Sequence, residues 1–119
     1  MGSVLIHLSR GQEDVERATL AFVVANAGLT AGQESTALLT LDAVWLATRG
    51  FTEGMQASGF APLGDVMKGF VENGGKLWVC GACAKPRGIT ADQLVDGAMV
   101  VGAVAAVEAL VSGAQSLSF

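Results

Sequence analysis

Short apolar, β-branched runs alternate with segments of helical period along this chain, and that alternation constrains its fold more than any other feature. "SVLIHL" (3–8) reads as a buried strand. Residues 35–41, 76–80 and 98–101 repeat the pattern, and the closing "SLSF" (116–119) alternates polar and apolar as a fifth strand would. Between them lie helices. One is expected over about 12–27, with Glu13 and Asp14 in its first turn, where the helix dipole favours anions. Glu13 and Arg17 stand four apart and can pair, Val15, Ala18, Phe22 and Ala25 form an apolar stripe, and Gly28 reads as the stop. Leu63, Val66, Met67, Phe70 and Val71 fall at i, i+3, i+4, i+7 and i+8, the strongest helix signal present, and Asn73-Gly74-Gly75 ends it. Asp42 to Thr48 reads as a short turn or helix. Thr90 and Gln93 have capping-box spacing, and residues 103–111 read as a small Ala-rich helix. Strands separated by helices require crossover connections. The expectation is therefore an α/β fold with a parallel sheet between helical layers, a three-layer α/β/α arrangement. Continuously apolar strands suit a sheet covered on both faces.

In such folds ligands bind beyond the carboxyl ends of the strands. That edge receives Ser9 and Arg10 after the first strand, Asp42 and Trp45 after the second, and Cys80 after the third. Residues 50–62 form the longest irregular segment, with three glycines and Pro62, and are placed to cover a site there.

A chain of 119 residues is expected to form one domain. Charged residues make up only 15% of it, against about 25% in an average domain, while 51% are hydrophobic. So little charge leaves apolar surface to be covered, and a homo-oligomer is expected over a well-covered monomer. The net charge of -4, with no basic cluster, argues against nucleic acid. The longest apolar stretch, residues 98–107, is half of what a membrane-spanning helix needs, so no membrane role is expected. With no signal-peptide pattern and only two cysteines, the cytoplasm is the expected compartment.

Both cysteines lie in "VCGACAKPRGI" (79–89). Zinc needs three or four ligands, and one histidine, His7, is all the chain adds, so no metal is expected. CxxC beside a βαβ pattern can be a thioredoxin-like redox pair, although Ala82 stands where proline usually precedes the second cysteine. A nucleophilic thiol needs exposure and nearby positive charge, which Lys85 and Arg87 could supply, with Gly81 and Gly88 permitting close approach of the backbone. The plain alternative is that both cysteines pack as small hydrophobes. Neither a dinucleotide-binding glycine motif nor a phosphate loop is present, so no cofactor is expected. His7 reads as a packed core histidine, and Trp45 and Trp78 as core or interface anchors.

Three segments resemble one family in order along the chain: "LDAVWLATRGF", "APLGDVMKGFVENGGKLWVCGACAKPRGI" and "DGAMVVGAVAAVEAL". The resemblance is to the DsrE/DsrF-like family, with its TusD-type sulfur carriers and YchN-like proteins. It implies a five-stranded parallel sheet in the order 43215. It also implies assembly into a homotrimer or homohexamer and sulfur exchange with a donor or acceptor protein. In the sulfur-relay members a cysteine eight residues before the glycine of an Arg-Gly step carries sulfur as a persulfide, and counting back from Gly88 reaches Cys80. The resemblance thus implies Cys80 as the sulfur acceptor. Cys83 would be a second thiol that resolves it, or the active thiol itself.

Overall fold

The computed structural model describes residues 2–119. Five strands, β1 (Ser3–Leu8), β2 (Glu34–Leu39), β3 (Lys76–Cys80), β4 (Ala98–Val101) and β5 (Gln115–Ser118), form one sheet in the order β4-β3-β2-β1-β5. Every pairing in it is parallel. The helices are α1 (Val15–Thr30), α2 (Leu63–Glu72), α3 (Gly81–Ala84) and α4 (Ala103–Val111). Short 3-10 segments occupy Gln12–Asp14, Leu41–Ala47, Lys85–Arg87 and Ala91–Gln93.

In a parallel sheet, paired residues share a face, so register decides which side chains meet which helices. Ile6, Ala37, Leu77 and Ala98 lie in one row, and Leu8, Leu39, Val79 and Val100 in the next. Their face is covered by α1 and α2, and the buried core gathers there around Phe22 and Phe70. These two rings meet edge to face, with centroids 5.8 Å apart and planes at 71°. Asn26 ties the two helices together, its side-chain amide donating to the carbonyls of Phe22 (2.9 Å) and Val66 (3.3 Å). Buried hydroxyls are also satisfied: Thr19 donates to the Val15 carbonyl at 2.7 Å and Ser35 to the Ala25 carbonyl at 2.8 Å.

The opposite face is thinly covered. β4 and β5 are the two edges, so the chain between them must cross the whole sheet, and α4 makes that crossing. None of its residues is fully buried. Ala105 and Ala109 approach Leu5, Thr36 and Trp78 across a groove of about 380 Å³.

Several expected boundaries move for local reasons. The first helix starts later and ends later than its glycine suggests. Asp14 caps it, accepting from the Arg17 N–H at 3.1 Å, and also pairs with the Arg17 guanidinium at 3.2 Å. Glu13 turns back to accept from the Gly11 N–H at 2.6 Å, so the expected Glu13–Arg17 pair gives way to Asp14–Arg17. Gly28 does not stop α1. It lets the helix lie against β1 and β2, because a Cβ there would come within 2.8 Å of Val4 and 3.1 Å of the Ser35 hydroxyl. The turn comes at Gly32, whose φ of 79° suits only a residue without a Cβ. β2 closes at Leu39, two residues short of the expected end, although Thr40 still donates to the Leu8 carbonyl at 3.0 Å. Leu41 then takes a left-handed φ of 51°, uncommon outside glycine.

Candidate functional site

Cys80 is the last residue of β3, and its backbone bends directly into α3. The strand-end geometry follows from sequence: Leu77 and Val79 bury on the α1–α2 face, and the alternation leaves Trp78 and Cys80 half-buried on the other. Cys83 lies one helical turn on, and both cysteines are free. The Cys80 thiol donates to the Cys83 sulfur, and the backbone N–H groups of Cys83 and Ala82 are donors to the Cys80 sulfur. Burial pushes the Cys80 thiol up, and the Cys83 thiol pushes it further, both by that hydrogen bond and because a negative charge on Cys83 disfavours a second one beside it. The two backbone N–H groups act the other way but are outweighed.

Arg87 organises the turn rather than the sulfur. Its Nε and Nη2 donate to Asp42 Oδ1 at 3.1 and 3.0 Å, and its Nη1 donates to the Cys83 carbonyl at 3.0 Å. One guanidinium thus bridges the segment after β2 to the segment after β3. Gly88 closes the turn at φ 70°, its N–H donating to the Lys85 carbonyl, and Ile89 is drawn into the core behind it. Lys85 is exposed. Neither cation figures among the causes that set the ionisation of Cys80, which are burial and the hydrogen bonds and charge of the α3 turn.

The other residues expected at this edge divide. Asp42 belongs to the site through Arg87. Its position is fixed by Gly11, where a Cβ would come within 2.5 Å of the Asp42 carbonyl oxygen, so the turn after β1 and the segment after β2 touch backbone to backbone. Ser9 instead fastens the C-terminus, with its N–H and hydroxyl both donating to the Phe119 carbonyl at 3.1 Å. Arg10 is exposed beside that turn. Trp45 stacks on Phe51, with centroids 5.8 Å apart and planes at 18°. That stacking, with the Leu63 N–H bonded to the Met55 carbonyl, holds the 50–62 segment against Trp45 and the start of α2.

Nothing in the sequence marks Thr40, because register is invisible there. Leu39 pairs with Val79, so Thr40, the residue just past β2, follows on toward the end of β3 where Cys80 stands. Its hydroxyl is 2.7 Å from His7 Nε2, and His7 Nδ1 is 3.3 Å from the Ser118 hydroxyl. His7 is therefore a half-buried polar residue bonded on both nitrogens, not a histidine in an apolar core. A separate groove of about 420 Å³ runs along α2 over Leu46, Leu77 and Val95, with Arg49, Lys68, Glu72 and Asp96 around it, and neither cysteine lines it. Among the described residues no three metal-ligating side chains gather, and no helix is long and apolar enough to cross a membrane.

The ionisation of Cys80 is testable by alkylation. Its rate should rise with pH to a midpoint above the ordinary thiol range. In Cys83→Ser that midpoint should fall, because the neighbouring thiolate charge and the thiol hydrogen bond are removed while burial remains. Iodoacetamide kinetics across alkaline pH, followed by peptide mass, measure both; an unchanged or higher midpoint in the variant contradicts the arrangement.

The whole architecture has close counterparts. The YchN protein of Escherichia coli superposes with a TM-score of 0.76 at 18% identity, with all of both chains covered. The protein of unknown function MTH1491 from Methanobacterium thermoautotrophicum gives 0.72 at 17%, again over both full chains. These likenesses are of fold. In sequence, the chain is 30% identical over 93 residues to the uncharacterized protein MJ0760 of Methanocaldococcus jannaschii, which covers 78% of this chain but 34% of that protein, so the chain spans about a third of that relative's length. The model of the DsrE/DsrF-like family matches residues 2–119. That match makes the chain a member of the DsrE/DsrF-like family, whose fold its neighbours share.

Proposed function

We propose that this is a small cytoplasmic sulfur-handling protein in which Cys80 accepts sulfane sulfur as a persulfide and passes it to a partner protein. The observation behind this reading is the position of Cys80: the end of a central strand, half-buried, with two backbone N–H groups directed at its sulfur. It is also the residue that the sulfur-relay pattern of the family matches, eight before Gly88. Backbone donors suit a sulfur that must carry negative charge in a persulfide without a fixed cation beside it. Arg87 and Asp42 serve by holding the turn, and Lys85 is the free cation nearest in sequence for an anionic donor. Mixing the reduced protein with a small-molecule persulfide tests the reading: about one donor equivalent per chain should be consumed with release of its thiol. If no donor is consumed, the reading is wrong.

A homo-oligomer, trimer or hexamer, goes with this reading. Val104, Val107 and Val111 stand at i, i+3 and i+7 on the outer side of α4 and are 68%, 56% and 82% exposed, and Met99 on the neighbouring β4 is 60% exposed. A contiguous apolar stripe on a thin outer layer suits burial against another copy. Light scattering after size exclusion should give a multiple of the 12.1 kDa chain mass, and Val107→Asp should shift it to the monomer. A wild-type monomer would refute the assembly.

A further inference from the structure

Carriage by Cys80 leaves Cys83 without a task, yet its surroundings are as specific as those of Cys80. Its sulfur accepts the hydrogen bond of the Cys80 thiol, and both side chains are half-buried and free. Its carbonyl is held by Arg87, which is itself anchored on Asp42 from a different strand connection, so the turn presenting the second thiol is braced from outside. Residues three apart on a helical turn have Cβ atoms about 5–6 Å apart, and a disulfide needs about 3.5–4.5 Å, so closing the bridge takes a small adjustment of the turn and no unfolding.

We propose that Cys83 discharges the sulfur taken up by Cys80 and releases it as sulfide, an inference that rests on the persulfide reading above. The Cys83 thiolate attacks Cys80 Sγ, the inner sulfur of the persulfide. A bond forms between the two cysteine sulfurs, the bond from Cys80 Sγ to the outer sulfur breaks, and the outer sulfur leaves with the electron pair as hydrosulfide. The proton shed by Cys83 goes to solvent. The outer sulfur is reduced from the sulfane to the sulfide level, and the two cysteines supply its two electrons by becoming a disulfide. A dithiol reductant then resets the pair by exchange and departs as its own disulfide.

The geometry favours the inner sulfur as the target. The Cys83 sulfur is the hydrogen-bond neighbour of Cys80 Sγ itself, so an outer sulfur directed away from Cys83 is in line to leave. A carrier built this way has a timer. Its cargo reaches an acceptor intact if the acceptor arrives first, and otherwise leaves as sulfide. Persulfide carriage and dithiol redox chemistry, which the CxxC spacing left as alternatives, become two halves of one cycle.

The test loads wild type and Cys83→Ser with cysteine persulfide, removes excess donor, and follows intact mass and free sulfide without reductant. Wild type should release about one sulfide per chain and end two hydrogens lighter than the reduced protein, with dithiothreitol restoring the original mass. Cys83→Ser, and Cys83→Ala as a second variant, should keep the added sulfur. If the variants load and wild type retains its sulfur equally long, or forms a disulfide without releasing sulfide, the discharge step is overturned while the carrier reading stands. If neither variant takes up sulfur, the Cys80 reading itself falls and this step with it.

Discussion

Replacing Phe70 with alanine should lower the free energy of unfolding by about 3–5 kcal/mol, a large share of the roughly 5–15 kcal/mol that holds a domain of this size together. Phe70 is fully buried in the last turn of α2. Its ring packs edge to face on Phe22 from α1, and a Cβ on Gly75 would come within 2.4 Å of it, so the turn into β3 is moulded on the same ring. Truncation removes the apolar burial and leaves a void between α1, α2 and the turn into β3, with the two helices tied to each other by the Asn26 bonds to Phe22 and Val66. Urea unfolding at fixed protein concentration should show a lower midpoint with an unchanged slope. A loss below about 1 kcal/mol, the range of a surface substitution, would mean that the α1–α2 layer does not hold the fold.

The helix behind that prediction was the clearest signal in the sequence, and for a physical reason. Leu63, Met67 and Phe70 bury on one stripe of a helix that packs against a sheet on one side only, so its period of 3.6 survives in the residue pattern. Strands β1 and β3 were equally legible, because a central parallel strand must be apolar on both faces. Strand order is another matter. Periodicity is local and is silent on which strands neighbour which; the order came from family resemblance, and the sheet has that order. Boundaries moved where a residue serves tertiary contact rather than local conformation. Gly28 looks like a helix stop in sequence, but its missing side chain makes room for Val4 and Ser35. Asp14 took the partner expected for Glu13 because it occupies the capping position.

The site was legible as a location more than as a mechanism. The end of β3 could be found by counting strands, and Cys80 is there. The role of Arg87 could not be read, because its partners Asp42 and the Cys83 carbonyl lie together only once β2 and β3 pair. Nearness in sequence suggested that Arg87 serves the thiol; in the fold its charge meets a carboxylate. Thr40 was hidden for the same reason: its meeting with His7, and its place past the end of β2, depend on register.

The second large effect concerns the two single-thiol variants. Cys83→Ser should take up one sulfur atom per chain from cysteine persulfide, and Cys80→Ser should take up none. Both should keep the fold, since each sulfur is half-buried and serine preserves the shape of the turn. The difference should be all or nothing rather than graded, because a persulfide needs a sulfur nucleophile and a serine hydroxyl at this position provides none. The backbone N–H groups of Ala82 and Cys83 point at residue 80, so moving the nucleophile to position 83 moves it away from the donors that would support the loaded sulfur. Intact mass of the two variants after donor removal is thus the most direct test of Cys80 as the acceptor. One added sulfur on Cys83→Ser with an unmodified Cys80→Ser is the predicted result; sulfur on Cys80→Ser with none on Cys83→Ser would contradict it.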